Sequence, residues 1–252
     1  NYAELKEKFD LFANSALRTE EYTTVENDVF RIEFSNKGGH IKTVQLKDFQ
    51  TSDSLPLILF EPETSKLGFT FFSNNRIINT SDFYFQPSET GSLIKVNTND
   101  SYKFTMRLYT DKSEEVYNKD TYIEYVYTIK GDDYMIDFDV NFVNMGPIVK
   151  ANALGLNWYA DLRLQERSVD QFNGSTIYYK YFQDDVEYMS ETDDEEEVVS
   201  TKVKWVSFKQ RFFNSTLIAK TGFENANLAI VTKENTNLEK YLKSMDVELG
   251  VP

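Results

Sequence analysis

No cysteine occurs among the 252 residues. That removes disulfides, thiolate metal sites and cysteine nucleophiles together. One histidine, His40, is the whole supply of imidazole. Metal sites built on several His or Cys ligands are thereby excluded, and a Ser-His-Asp triad would have to use that one ring as its base. No Gly-x-Ser-x-Gly elbow accompanies it, and a turn residue is the plainer reading of a histidine beside Gly38 and Gly39. There is no Walker loop, no Gly-x-Gly-x-x-Gly and no Asp-x-Asp-x-Asp-Gly calcium loop, so no nucleotide, metal or other cofactor is expected. Long apolar runs are missing as well. The longest stretches without a charged residue, Val140–Val149 and Ala151–Ala160, are ten residues each, against roughly 20 for a membrane-spanning helix. Positive charge is scarce: 27 Lys+Arg face 41 Asp+Glu, a net charge of −14. Such a chain repels phosphate backbones, so nucleic acid is not an expected partner. An anionic lipid surface is disfavoured for the same reason.

What is abundant is aromatic. Sixteen Tyr, 20 Phe and 2 Trp make up 15% of the chain, and large aromatics favour strands, where they pack across a pleated surface. Only the ends read as helical. Tyr2, Leu5, Phe9, Phe12 and Ala16 recur every three or four residues, which predicts an amphipathic helix over 2–17. From Val25 the period becomes two. Phe30, Ile32 and Phe34 share a face, Ser35–His40 supplies turn chemistry through Gly38 and Gly39, and Ile41–Leu46 continues as a second strand. The clearest unit is Tyr122–Asn144: Ile123, Tyr125, Tyr127 and Ile129 alternate, a turn follows at Gly131-Asp132-Asp133, and Ile136, Phe138, Val140 and Phe142 alternate back. Phe69 with Phe71 and Phe83 with Phe85 repeat the pattern, as do Ala153–Leu164, Thr176–Phe182, Thr201–Phe208, Ser215–Ala219 and Leu228–Thr232. So many strands without helical patterns between them predict an all-β sandwich. Asn237–Met245 could form a short helix. The acidic run Asp193–Glu197 reads as an exposed, solvated loop.

Chemistry is harder to place. The 41 acidic residues supply carboxylate pairs of the kind glycosidases use, but most alternate along strands toward water and single out no site. Trp158, Trp205 and the alternating Phe residues could stack on sugar rings; core packing is the plainer assignment. Sequons at Asn79, Asn99, Asn173 and Asn214, among 20 asparagines, are close to chance.

Several segments in order resemble the large periplasmic domain of the YidC family of bacterial membrane protein insertases, in its Bacteroidetes form. Val25–Gly39 resembles the family's opening strand and turn, followed by Ile41–Leu46. Tyr125–Asn144 resembles its strand-turn-strand unit, and Trp205-Val206-Ser207-Phe208-Lys209-Gln210-Arg211-Phe212-Phe213 its later aromatic segment. Leu55–Phe60 and Gly174–Phe182 fall where the family has similar stretches.

The resemblance implies a twisted β-sandwich of the supersandwich, galactose-mutarotase-like type with a short N-terminal helix. Residues 1–20 would be an amphipathic connector from a first membrane span, and residues 21–252 the periplasmic supersandwich, truncated at its C-terminal end. The start without Met and the stop at Pro252 fit a piece of a longer inner-membrane protein. The implied role is non-catalytic: assisting insertion and folding of inner-membrane proteins, with or without the Sec translocon, through SecD–SecF and client contacts. Gly38, Gly39, Gly131, Trp205, Phe208 and Phe212 are assigned structural roles; no partner-binding residue carries over. The alternative is a carbohydrate-binding or mutarotase-like periplasmic protein.

Overall fold

A computed structural model describes residues 1–149, 154–166, 174–232 and 241–252. Asn1 caps the first helix, its side-chain oxygen accepting the Ala3 amide at 3.1 Å. That helix, α1 (Tyr2–Phe9), buries none of its side chains. The amphipathic stripe ends there, because Asp10 takes a positive φ of 51° and the chain tightens into a 3-10 turn over Asp10–Ala16. Phe12 in that turn is fully buried, and Asn14 donates its backbone N–H to Asp111 at 3.0 Å.

After this the described residues form strands in four sheets, joined by loops and one short 3-10 turn at Thr80–Asp82. The first runs β4 (Pro56–Phe60), β3 (His40–Gln50), β2 (Phe30–Ser35), β1 (Tyr22–Glu26) and β8 (Leu93–Lys95). The second runs β11 (Ile136–Val143), β10 (Val116–Lys130), β9 (Ser101–Ser113) and β7 (Gln86–Pro87). The third has six strands: β15 (Glu195–Val199), β18 (Ala226–Thr232), β19 (Tyr241–Gly250), β12 (Gly155–Arg163), β5 (Ser65–Ser73) and β6 (Arg76–Asn79). The fourth runs β14 (Val186–Tyr188), β13 (Thr176–Tyr181), β16 (Val203–Lys209) and β17 (Asn214–Phe223). Pairing is antiparallel except between β1 and β8 among the described residues. The sheets meet through rings. Phe34 of the first sheet packs on Phe104 and Tyr127 of the second, Phe69 of the third on Tyr125, and Trp158 of the third stacks on Phe208 of the fourth at 3.6 Å between centroids. The result is an all-β sandwich with one contiguous apolar core.

The β10–β11 hairpin has the register its alternation requires, with Tyr125 opposite Val140 and Tyr127 opposite Phe138. Three expectations change. Tyr241–Met245 belongs to a strand rather than a helix, while 237–240 lies outside the described residues. Glu195–Glu197 is strand as well: in this edge strand Glu196 faces solvent, while the half-buried Glu195 and Glu197 accept hydrogen bonds from the Ser190 amide and the Tyr179 hydroxyl. Phe83 and Phe85 are both buried but lie in irregular chain, apart from an isolated bridge at Tyr84.

Candidate binding face on the six-stranded sheet

Successive side chains on a strand point to opposite faces, so register decides which outward groups meet. On β12, Leu156, Trp158, Ala160 and Leu162 enter the core. Asn157, Tyr159 and Asp161 therefore point outward. Pairing carries the split across the sheet. Gly68, Asn157, Glu248 and Asn227 form one outward row, and Lys66, Tyr159, Asp246, Ala229 and Glu196 a second. These rows floor a groove of about 820 Å³.

The floor is cross-tied. Tyr159 donates its hydroxyl to Asp161 Oδ1 at 2.6 Å, and Ser244 Oγ donates to the same oxygen at 2.7 Å. Asn157 donates to Thr70 Oγ1 at 2.7 Å, and Asn227 to Glu248 Oε2 at 3.3 Å. Asp246 is exposed as a residue, yet partial desolvation of its carboxyl raises its pKa. The Val247 amide offsets part of that and the Glu248 charge adds to it. Glu196, Asp246 and Glu248 face Lys66 alone among basic groups lining the floor. Apolar shoulders flank it: the cross-strand pair Phe72 and Ile77 on one side, Val198 and Val231 on the other, all exposed. Carboxylate, amide and phenol oxygens on a concave floor accept hydrogen bonds. They suit a ligand rich in donors, such as the backbone and cationic side chains of an extended chain, or sugar hydroxyls. Among the described residues no group of three or more His, Asp or Glu is placed to hold a metal ion.

His40 is not on this floor. It is buried at the start of β3, with neither ring nitrogen in hydrogen-bonding geometry. Burial, then the neighbouring Lys42 charge, pull its pKa down to about 4; the nearby Ser65 and Lys37 backbone groups offset only part of this. Lys42 stays charged despite its own burial, since it donates to Glu63 at 2.6 Å and lies 3.5 Å from Glu20. The ring is enclosed, with its pKa well below neutral, and it is not among the residues that line the groove, so it offers the floor no exposed base.

The residues assigned structural roles scatter. Gly38 and Gly39 take φ of 73° and 64° in the β2–β3 turn, where a Cβ on Gly39 would press on Phe85 and Tyr125 at 3.0 Å. Gly131 passes so close to Asn97 that a Cβ would sit 1.8 Å from its carbonyl oxygen. Phe208 is buried against Trp158. Trp205 and Phe212 depart from expectation. Trp205 is half-buried on the outward face of β16, because it stands three residues from Phe208 and period two sends the two rings to opposite sides. Phe212 is 71% exposed in the turn between β16 and β17, where no pleat directs it inward. None of the six lines the groove. Its floor residues had one sequence signal, the alternation Asn157-Tyr159-Asp161 and Asp246-Glu248. In the second strand the helical spacing of Leu242, Met245 and Leu249 masked it.

Comparison with known proteins gives a consistent picture. Residues 22–250 match the family described as the YidC periplasmic domain. Membrane protein insertase YidC of Parabacteroides distasonis is 35% identical over 230 residues, 89% of this chain and 34% of that protein. The insertase of the same name from Porphyromonas gingivalis W83 is 32% identical over 251 residues, 97% of this chain and 37% of that protein. The chain thus spans about a third of the length of these curated relatives. A galactose mutarotase related enzyme from Lactobacillus acidophilus superposes with a TM-score of 0.44 and 10% identity, over 90% of this chain and 84% of that one, a likeness too loose to bear on function.

Proposed function

The chain belongs to the YidC periplasmic domain family, and from that premise we propose that it is the non-catalytic, periplasm-facing part of an inner-membrane protein insertase. The match over residues 22–250 is the observation that carries this reading. The whole protein would help inner-membrane proteins insert and fold, with or without the Sec translocon. This domain would contribute contacts with SecD–SecF and with emerging client segments. The groove suits such a contact: its oxygens accept from an extended backbone and its shoulders take apolar side chains. Helix α1, none of whose side chains is fully buried, would lead from a membrane span into the sandwich, pinned by Phe12, by Phe9 against Phe83 and by the Arg76 bond to the Glu7 carbonyl at 2.8 Å. Sugar anomerisation is the weaker reading, because the groove floor holds carboxylates and no imidazole.

Depleting the full-length protein in its own bacterium tests the reading. Newly made multi-pass inner-membrane proteins should lose protease-protected topology, and SecD–SecF should co-purify with the full-length protein but not with a version lacking residues 21–250. Normal insertion after depletion would sink the insertase reading. Polarimetry showing catalysed anomerisation of α-galactose by this chain would establish the enzyme instead.

A further inference from the structure

The fourth sheet presents a second face, opposite in character to the groove. Register places Val186, Lys180, Trp205 and Ile218 in one outward row and Tyr188, Tyr178, Ser207 and Thr216 in the next. Lys209 lies one row further on, and Lys220 stands two residues beyond Ile218 on the same side. Tyr188 is 60% exposed, Ile218 52% and Val186 44%. Tyr178 and Tyr188 stack at 5.2 Å, and the Lys209 ammonium lies 5.6 Å from the Tyr178 ring centre. The outward strand positions hold three lysines and no Asp or Glu. Lys180 and Lys209 donate only to the backbone carbonyls of Asp184 and Gly174. Among the described residues no carboxylate forms an ion pair with Lys180, Lys209 or Lys220. Acids stand at the rim: Asp184 and Asp185 in the β13–β14 turn, exposed Glu187 on the opposite side of edge strand β14 from Tyr188, and Glu191, whose charge reaches Tyr178.

We propose that this face rests on an anionic bilayer surface. Tyr and Trp rings carry an apolar body and a polar tip, which is the composition of membrane–water interfaces. Unpaired lysines beside them add attraction to anionic headgroups. The face is a sheet surface rather than a groove, so it fits a flat partner. Polarity supports the same orientation. Trp158 and Phe208 stack between the third and fourth sheets, so the acidic outward face of the third points away from the lysine face of the fourth. A chain with net charge −14 is repelled from such a surface in most orientations and attracted in this one. The proposal rests on the insertase reading for a membrane being at hand, and it tells that reading which way the domain sits.

Vesicle co-sedimentation of this 252-residue chain tests it, using phosphatidylcholine alone and an equal mixture with phosphatidylglycerol. Binding is expected to the anionic vesicles only and should weaken with salt. The emission of Trp205 should shift to the blue, whereas Trp158 is already enclosed. Each lysine is worth roughly fivefold in partitioning, so Lys180→Gln with Lys220→Gln should lower it roughly 25-fold. Asp246→Asn with Glu248→Gln, on the other face, should not lower it. Circular dichroism checks that each variant folds. No binding to anionic vesicles, or binding indifferent to the lysines, would overturn the proposal. So would self-association, or capture of an acidic protein, abolished by the lysine changes while vesicles are ignored; that would make this a protein interface. Any of these results leaves the insertase reading standing, since that reading is tested by depletion in cells.

Discussion

His40 makes acid a threat to the fold. The unfolded ring takes its proton near pH 6.5 and the folded ring only near 4. Its folded pKa is depressed, so its contribution is complete above 6.5 and is lost as pH falls through that window, by up to roughly 3 kcal/mol. Urea denaturation of the wild type and of His40→Gln from pH 7 to 4 should give curves whose difference bends in this range; a flat difference would show the ring is not enclosed. The aromatic pair on β16 gives a second comparison. Phe208→Ala removes a ring stacked in the core and should cost about 3–5 kcal/mol. Trp205→Ala, on the outward face, should cost about 1 kcal/mol or less. Equal losses in denaturation would put Trp205 back in the core. Their spacing of three already held this information, since period two cannot bury both. Gly131 was legible only as a turn; that its backbone leaves no room for a Cβ beside Asn97 depends on a contact with the loop before β9, some 30 residues earlier.

At the level of elements, hairpins were the most readable, because both strands and their turn lie in one stretch of sequence. β19 was the least. Leu242, Met245 and Leu249 satisfy a helical spacing, while Met245, Val247 and Leu249 against Asp246 and Glu248 satisfy a strand. The ambiguity is resolved only by the neighbours, β12 on one side and β18 on the other. A strand bonded along both edges should exchange its amide hydrogens slowest, and β15, bonded along one, much faster. Hydrogen-exchange mass spectrometry checks this; rapid exchange over 243–249 would contradict the central placement. The acidic run shows the converse. Five like charges read as loop, yet three of them fit a strand that lies at an edge.

For the whole molecule, the sandwich was visible in composition and alternation, but neither face that could meet a partner was. Each is assembled by register between distant strands: Asn157 bonds Thr70, 87 residues away, and Tyr159 reaches Ser244, 85 residues away. Net charge, which seemed to rule out an anionic surface, averages over two faces of opposite sign. It does predict a bulk property. Self-repulsion at −14 should make the fold more stable as ionic strength rises from about 0.01 to about 0.15 M, read as a higher melting temperature. A fall would mean that the ion pairs around Lys42 and Arg163 outweigh the repulsion.

The central position of β19 also sets an order of events. A ribosome delivers β5 first, β12 much later and β19 last among these three, yet β19 is the piece that joins β12 to β18. Until residues 241–250 emerge, two strand edges stand open and the β15–β18 pair has no register against β12, β5 and β6. Asp246 and Glu248 arrive with that strand. A partly synthesised domain therefore has no groove with which to engage anything, and competence to bind begins only when the middle of the sheet is filled.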